Sequence, residues 1–235
     1  MKYIKISIIQ NINLRKISYA HTCSRNVFNK ALKSLLMDAD KKRDEHGGTI
    51  LYPAAEINYG IGQVARELHS RLSFNGNRDN TDFVVVLNGG AYFAERLLPQ
   101  LWNKNGGKEY GRVQRIKVSS YGTGQTSSCT LKIEQNIEYP VAQQVVVIDD
   151  VVESGLTASE LKKILLAKGA KRVLLAALVD KPAHRLRENG SLIVRPDMSA
   201  TRYDGAGWLY GCGMDINGDN ASRLLNDLWM VAPKK

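Results

Sequence analysis

From about residue 50 onwards, the apolar residues follow two alternating patterns, one typical of helices and one typical of strands. Residues 54–72, 91–102 and 157–167 repeat apolar side chains every three or four positions, which predicts three amphipathic helices. Short runs rich in Val, Ile and Leu predict strands at residues 83–87, 113–118, 131–133, 145–148, 173–179 and 207–214. Because strands alternate with helices, we predict an α/β fold with a largely parallel, doubly wound sheet.

The first 48 residues do not follow this alternation. Residues 4–8 place Ile at every second position, as a strand does, but the following segment is rich in Asn and basic residues. Residues 38–48 are charged and end in two glycines, which is typical of an exposed loop or linker. We therefore predict a basic N-terminal extension of uncertain structure over residues 1–48 and one domain over residues 49–235.

The charge of the chain is concentrated in this extension. Its 33 Lys and Arg residues outnumber its 23 Asp and Glu residues and give a net charge of +10. Residues 1–37 hold seven of the basic residues and no acidic residue, so the other 198 residues carry a net charge of only +3. Because the basic excess lies at one end and not on the domain, we expect no nucleic-acid partner. A targeting peptide, a tail, and an extension upstream of a start at Met37 are alternatives for this segment.

The composition is that of a globular protein, with 43% hydrophobic and 24% charged residues. The longest apolar run, residues 173–179, is far shorter than the roughly 18 residues of a membrane-spanning helix, so we expect no membrane partner. The three cysteines are widely separated and form no C-x-x-C pair. This argues against a disulfide framework or a cysteine zinc site and predicts a cytoplasmic location.

The most informative segment follows the predicted strand at residues 145–148. Two adjacent acids, Asp149 and Asp150, end the strand, and a short loop leads to a helix. In open parallel sheets, ligands bind beyond the carboxyl ends of the strands, and the N–H groups at a helix start bind phosphate. Gly155 allows a close backbone approach. The pattern therefore predicts a site for a phosphate and sugar hydroxyls.

A purely structural interpretation accounts for part of this pattern. Thr157 and Glu160 have the spacing of a capping box, so the hydroxyl group could serve the helix alone. That interpretation does not account for Asp149 and Asp150, because burying charge without a partner is costly. We therefore favour the ligand-binding interpretation.

Residues 145–157 closely resemble the 5-phosphoribosyl 1-pyrophosphate (PRPP) signature of type I phosphoribosyltransferases. Within this family the chain is most similar to the hypoxanthine-guanine, or 6-oxopurine, branch, over roughly residues 50–232. The resemblance implies a mostly parallel twisted sheet flanked by helices, with a small hood formed by the chain ends. It assigns the ribose and 5′-phosphate of PRPP to Asp149, Asp150, Ser154, Gly155, Leu156 and Thr157.

Two further loops carry the resemblance. Leu87, Asn88 and Gly89 correspond to the pyrophosphate-binding loop, which implies a non-proline cis peptide bond between Leu87 and Asn88. The family commonly has Lys at the Asn88 position, so this chain lacks one charge there. Ser120 and Tyr121 correspond to the Ser-Tyr pair of a catalytic lid that excludes water from the reaction.

The C-terminal part corresponds to the base-binding half of the family site. Lys181 matches the lysine that contacts the purine 6-oxo group, and Trp208 matches the aromatic ring that stacks on the base. Leu209 lies where main-chain groups meet the purine edge. Asp215 matches a magnesium-binding carboxylate. Arg223 is a candidate for the pyrophosphate-side arginine, although its spacing from Asp215 is about two residues longer than the family pattern.

The resemblance implies the transfer of the phosphoribosyl group from PRPP to N9 of hypoxanthine or guanine, with xanthine as a further candidate. The products are the nucleoside 5′-monophosphate and pyrophosphate, and the cofactor is Mg²⁺, held by Asp149, Asp150 and Asp215. Glu153 stands where the family has the Asp that handles the purine N7 proton. The implied partners are PRPP and a purine base, in a homodimer or homotetramer.

Three other functions fit these residues less well. Another base is disfavoured because Lys181 suits a 6-oxo acceptor. An RNA-binding regulator of the same fold would not need the lid at Ser120 and Tyr121. A dinucleotide-binding protein would carry a G-x-G-x-x-G motif after its first strand, which this chain lacks.

Overall fold

A computed structural model describes residues 46–74, 80–121, 130–133, 137, 141–185, 187–188, 191–192 and 194–233. The helices are α1 (Ala54–Phe74), α2 (Gly90–Lys104) and α3 (Leu156–Ala167). The strands are β1 (Thr49–Tyr52), β2 (Thr81–Leu87), β3 (Val113–Tyr121), β4 (Thr130–Ile133), β5 (Gln144–Val152), β6 (Arg172–Asp180), β7 (Arg187–Glu188), β8 (Ser191–Leu192), β9 (Met198–Arg202), β10 (Trp208–Tyr210) and β11 (Leu228–Val231).

The main sheet has six strands in the order β4-β3-β2-β5-β6-β9. Neighbouring strands from β3 to β9 are parallel, and only β4 runs antiparallel to its neighbour β3. The strand order reverses between β2 and β5, next to the segment that carries Asp149. This parallel α/β architecture confirms the predicted fold class, and it places the carboxyl ends of β2, β5 and β6 at one edge of the sheet.

The strands of this sheet are buried on both faces. In β2, Phe83 and Val85 pack in the core beneath α1 and α2, whereas Val84 and Val86 pack in the core beneath α3. The same alternation continues through β5 and β6. An unbroken apolar run therefore forms a central parallel strand, because each face needs its own set of apolar side chains.

A second, three-stranded antiparallel sheet has the order β1-β11-β10. It joins Thr49–Tyr52 from the start of the described chain to Leu228–Val231 near its end. Tyr210 and Trp229 stack within it, with ring centroids 6.1 Å apart. This sheet is the small hood that the family resemblance implied.

Some local predictions differ from the structure. The strand predicted over residues 207–214 is confined to Trp208–Tyr210. Beyond it the chain turns back through an isolated bridge between Gly211 and Met214, with Cys212 at a φ of 52°. Five strands were not predicted by the apolar pattern. Three of them, β1, β9 and β11, lie at sheet edges or in the hood, and the other two, β7 and β8, form a separate short pair.

Other predictions fall on parts of the chain outside the described residues. These are the predictions for residues 1–45 of the N-terminal extension. Within the described ranges, no helix is both long enough and apolar enough to cross a membrane.

Candidate active site

Three adjoining cavities open at the carboxyl edge of the main sheet. The first is lined by residues 149–158 and has a volume of about 140 Å³. The second, about 270 Å³, reaches from Asn88 to Arg223. The third, about 170 Å³, lies between Glu153 and Trp208. Val151 lines all three cavities, so they form one connected site at the end of β5.

The first cavity is enclosed by the loop between β5 and α3. Gly155 precedes α3 in a left-handed conformation, with a φ of 85°. The Leu156 amide donates to Ser154 Oγ over 3.3 Å. Thr157 is the second residue of the helix, and the N-cap residue is Gly155, which has no side chain to form a cap hydrogen bond, so the capping-box interpretation of Thr157 is wrong. Thr157 and the start of α3 line the cavity. The N–H groups in the first turn of the helix favour an anion there.

The two carboxylates of β5 lie side by side at the centre of the site. Asp149 has only 6% of its surface exposed, and its Oδ1 accepts from the Asp150 amide over 3.0 Å. Burial raises the pKa of Asp149 well above its ordinary value, and the neighbouring charge of Asp150 raises it further. Burial likewise raises the pKa of Asp150. The pair is therefore a region of unbalanced negative character that sugar hydroxyls or a cation would relieve.

The second cavity brings the predicted pyrophosphate residues together. Leu87, Asn88 and Gly89 line it, and the peptide bond between Leu87 and Asn88 is cis, as the resemblance implied. Asp215 and Arg223 line it from the opposite side. The longer spacing of Arg223 in the sequence therefore does not remove it from the site.

Arg223 and Asp215 form an ion pair in this cavity. Arg223 Nη1 also donates to the Gly213 carbonyl over 2.6 Å, and Asp215 Oδ2 accepts from the Gly218 amide over 3.1 Å. About a third of the Asp215 side chain is exposed. The turn from residue 213 to residue 223 therefore holds one cation and one carboxylate at the mouth of the cavity.

The third cavity combines apolar walls with charged groups, which suits a polar ring. Leu209 and Met214 supply apolar walls, and Trp208 lies at the rim with 62% of its surface exposed. Lys181 directly follows β6, with only 4% exposure. An exposed tryptophan next to a buried ammonium group can stack on a ring while the ammonium group donates to it.

Glu153 and Lys181 form an ion pair inside this cavity. Lys181 Nζ donates to Glu153 Oε1 over 2.7 Å. His184 Nε2 lies 4.0 Å from the same carboxylate oxygen. A lysine ammonium group has three donors, so Lys181 can hold Glu153 and still donate to a ligand oxygen. The longer side chain of Glu153 is thus fixed next to the predicted purine contact.

The predicted lid is placed only in part. Ser120 and Tyr121 belong to β3, where they pair with Leu131 and Thr130 of β4. They are strand residues and not residues of the loop itself. Their side chains and residues 122–129 lie outside what the structure describes, so their catalytic role stays a prediction.

The carboxylates of the site suit a metal that arrives with its substrate. Among the described residues, no group of three or more His, Cys, Asp or Glu side chains forms a metal cage. Asp149, Asp150 and Asp215 nevertheless line one cavity. Mg²⁺ characteristically binds one or two carboxylates together with water and substrate phosphates, so this donor set fits it.

Several apolar residues that line the cavities, and one buried arginine next to them, were not predicted from the sequence. Val151 and Met214 line the cavities as apolar walls, and Arg185 is buried directly behind the phosphate loop. Val151 lies within the recognised motif, so its position could have been inferred. Neither Met214 nor Arg185 belongs to a local pattern that marks it.

Comparisons with known proteins agree with this geometry. Residues 54–204 match the family model described as "Phosphoribosyl transferase domain". Hypoxanthine phosphoribosyltransferase of Escherichia coli K12 is 26% identical over 144 residues, which cover 60% of this chain and 75% of that protein. Hypoxanthine-guanine phosphoribosyltransferase of Aquifex aeolicus is 28% identical over 137 residues, covering 58% and 72%.

Solved structures give the same result at the level of the fold. A structure of Trypanosoma cruzi hypoxanthine phosphoribosyl transferase superposes with a TM-score of 0.69 and 25% identity, covering 79% of this chain and 91% of that one. A Staphylococcus aureus hypoxanthine phosphoribosyltransferase superposes with a TM-score of 0.67 at 18% identity, covering 84% and 95%. The second likeness concerns the fold alone.

Proposed function

The chain belongs to the phosphoribosyltransferase family, and from this premise we propose that it is a 6-oxopurine phosphoribosyltransferase of purine salvage. It transfers the phosphoribosyl group of PRPP to N9 of hypoxanthine or guanine. The observation that carries this proposal is the connection of three cavities around Asp149 and Asp150. Each cavity has the size and polar groups for one part of the reaction: the 5′-phosphate, the pyrophosphate and the base.

The ribose and its phosphate bind across the end of β5. The free N–H groups at the start of α3, with Ser154 and Thr157, hold the 5′-phosphate. The carboxylates of Asp149 and Asp150 accept from the ribose hydroxyl groups, which adds partners beyond the main-chain amides that these acids contact in the free protein. C1′ is thereby fixed between the base cavity and the pyrophosphate cavity.

The leaving group is bound on the opposite side of the ribose. The main chain of residues 87–89 and the guanidinium group of Arg223 contact the pyrophosphate. Asp149, Asp150 and Asp215 would hold Mg²⁺, which supplies positive charge that stabilises the departing pyrophosphate. Asn88 offers a neutral donor where the family has a lysine, so this side depends more on Arg223.

The base binds between Trp208 and the Glu153–Lys181 pair. Trp208 stacks on the ring, and Lys181 donates to the 6-oxo group. The lone pair of N9 forms the bond to C1′ while the bond from C1′ to the pyrophosphate oxygen breaks. The proton on N7 passes to the Glu153 carboxylate, so charge does not accumulate on the purine.

A product assay tests this proposal. The protein is incubated with PRPP and Mg²⁺ and, in parallel, with hypoxanthine, guanine, xanthine or adenine. We expect nucleoside monophosphate from at least one 6-oxopurine and little from adenine, because a lysine donor does not suit a 6-amino group. Absence of nucleotide from all three 6-oxopurines would overturn the proposal, and chelation of Mg²⁺ in the productive reaction should abolish it.

We extend the proposal to a homodimer or homotetramer in the cytoplasm. The assembly follows from the family resemblance, and the compartment follows from the sparse, unpaired cysteine pattern. Light scattering on the protein as it elutes from a size-exclusion column measures the oligomeric state. Localisation of the full chain in its own cells measures the compartment.

A further inference from the structure

Arg185 is a buried cation that the reaction outlined above does not use. It follows the short 3-10 turn Pro182–His184, and only 1% of its side chain is exposed. Burying a guanidinium group is strongly unfavourable unless its charge is paired and its donors are satisfied. Its surroundings therefore need to be specific.

Each nitrogen of the guanidinium group has a partner. Nε donates to the Glu153 carbonyl over 2.8 Å, and Nη2 donates to the Val152 carbonyl over 2.5 Å. Nη1 donates to the Val194 carbonyl over 3.0 Å. The Asp180 carboxylate accepts from Nη2 over 2.5 Å and balances the charge. Three main-chain carbonyls and one carboxylate thus converge on one side chain.

Two of these carbonyls belong to the segment that leads into the phosphate-binding loop. Val152 and Glu153 immediately precede Ser154, and the loop packs on the arginine itself. The position of a Cβ on Gly155 would be 3.3 Å from Arg185 Cδ. Fixing these carbonyls fixes the orientation of the peptide groups that follow them.

The other partners belong to the base-binding side. Asp180 immediately precedes Lys181, whose amide donates to the same Val152 carbonyl over 3.0 Å. Arg185 therefore links two segments of the chain. One leads from Glu153 into the phosphate-binding loop, and the other carries Lys181, the ion-pair partner of Glu153.

We propose that Arg185 is a positioning residue that sets the phosphate-binding loop and the Glu153–Lys181 pair in one fixed arrangement. The inference rests on the proposed function. A planar guanidinium group is required because its rigid fork reaches several carbonyl oxygens at once, whereas an ammonium group is a point charge on a flexible stem. A lysine at this position could keep the positive charge next to Asp180 and still lose the hydrogen bonds to the main-chain carbonyls that lead into the loop.

The test compares Arg185→Lys with Arg202→Met. Arg202 contacts the same Asp180 carboxylate over 3.2 Å, but 59% of its side chain is exposed; an exposed pair of this kind contributes little. Arg202→Met therefore controls for the loss of one ion pair to Asp180 without the loss of any loop contact.

Steady-state kinetics and binding of the product nucleotide (IMP) and its nucleoside (inosine) give the readouts. We expect Arg185→Lys to raise the KM for PRPP and the Kd for IMP by about tenfold and to lower kcat, since small displacements of binding groups have effects of this size. The Kd for inosine should rise less than the Kd for IMP, because inosine keeps its contact with Lys181 but has no phosphate. Arg202→Met should match the parent protein in all four.

A merely structural role gives a different result. Arg185→Lys would then lower Tm but leave kcat, KM and the ratio of the two Kd values at the parent values, which would overturn the inference. If Arg185→Lys does not fold, Asp180→Asn replaces it, since it keeps an acceptor for Nη2 but removes the balancing charge; a selective rise in the Kd for IMP is again expected. An inactive parent protein would contradict the proposed function, whereas an active parent with an unaltered Arg185→Lys variant contradicts only this inference.

Discussion

At the scale of single residues, the side chain of Glu153 distinguishes this chain from the pattern of its family. One additional methylene brings its carboxylate to 2.7 Å from Lys181 Nζ. The lysine hydrogen bond thereby holds the carboxylate inside the base cavity. The longer side chain is therefore compatible with the proton transfer that the family assigns to Asp.

Glu153→Gln separates chemistry from substrate binding. The amide keeps the size and a hydrogen-bonding oxygen but cannot accept the N7 proton, so we expect kcat to fall by about a hundredfold or more. The KM for PRPP should stay near the parent value, because glutamine keeps the size of the side chain where Glu153 lines the 5′-phosphate cavity, and Glu153 does not line the pyrophosphate cavity. Turnover equal to that of the parent would exclude Glu153 as the proton acceptor. Glu160→Gln, on α3 and outside all three cavities, serves as the control.

Asp149→Asn should lower the activity and raise the stability of the folded protein. Since burial raises the pKa of Asp149, the folded state binds this proton more tightly than the unfolded state does. The stability contributed by the group is therefore present at low pH and falls as pH rises through the raised pKa. The asparagine side chain of the variant carries no charge at any pH, so the variant does not lose stability in this way. Its Tm, measured without PRPP or Mg²⁺, should exceed that of the parent by about 2–4 °C at mildly alkaline pH.

The pH dependence provides the check on this explanation. The difference in Tm should widen as pH rises, and turnover should be strongly reduced because a ribose contact is lost. A Tm below that of the parent at every pH would contradict the assignment of Asp149 as a destabilising buried acid.

At the scale of elements, the β5–α3 loop depends on the left-handed backbone of Gly155. Gly155→Ala forces a Cβ into a conformation that costs about 1–2 kcal/mol, and it places that atom 3.3 Å from Arg185 Cδ and from the Val194 carbonyl oxygen. We expect a lower Tm together with a raised KM for PRPP.

Gly169→Ala is the matched control for this prediction. Gly169 lies two residues after the end of α3 with a φ of 104°, but nothing lies within 4 Å of the position of its Cβ. It should therefore lower Tm through the backbone alone and leave the KM for PRPP unchanged. An equal rise of KM in both variants would show that the loop is not specifically disturbed.

At the scale of the whole molecule, the hood joins the two ends of the described chain. β1 covers one edge of β11, the Ala54 amide donates to Asp227 over 2.7 Å, and His46 Nε2 lies 3.2 Å from Asp219 Oδ2. Asp219 follows Asp215 in the turn that lines the pyrophosphate cavity. The start of the domain therefore supports the far side of the active site.

Two truncations test the predicted domain boundary. A chain that begins at Met37 keeps β1 and His46, so we expect kcat, KM and Tm close to those of the full chain. A chain that begins at Pro53 exposes the edge of β11 and removes the support of the turn, and it should show a lower Tm and a tendency to aggregate. Loss of activity in the chain that begins at Met37 would place a functional element within residues 1–36.

Local sequence determined much of this protein. The unbroken apolar run of β5, the acids Asp149 and Asp150, and the glycine before α3 are adjacent in the chain, so their chemistry could be read without knowledge of any distant contact. The same is true of the helical periodicity of α1 and α2. The resemblance to a known family then indicated which other segments of the chain join this motif in the site.

Only the tertiary structure decided which distant groups meet. The Glu153–Lys181 ion pair, the burial of Arg185 behind the phosphate loop and the return of Arg223 to Asp215 depend on side-chain directions that no local pattern specifies. The pairing of β1 with β11 joins segments at opposite ends of the domain. The physical reason is that charge pairing and edge-strand pairing depend on where the folded backbone brings groups together, whereas periodicity and loop chemistry are set by neighbours in the chain.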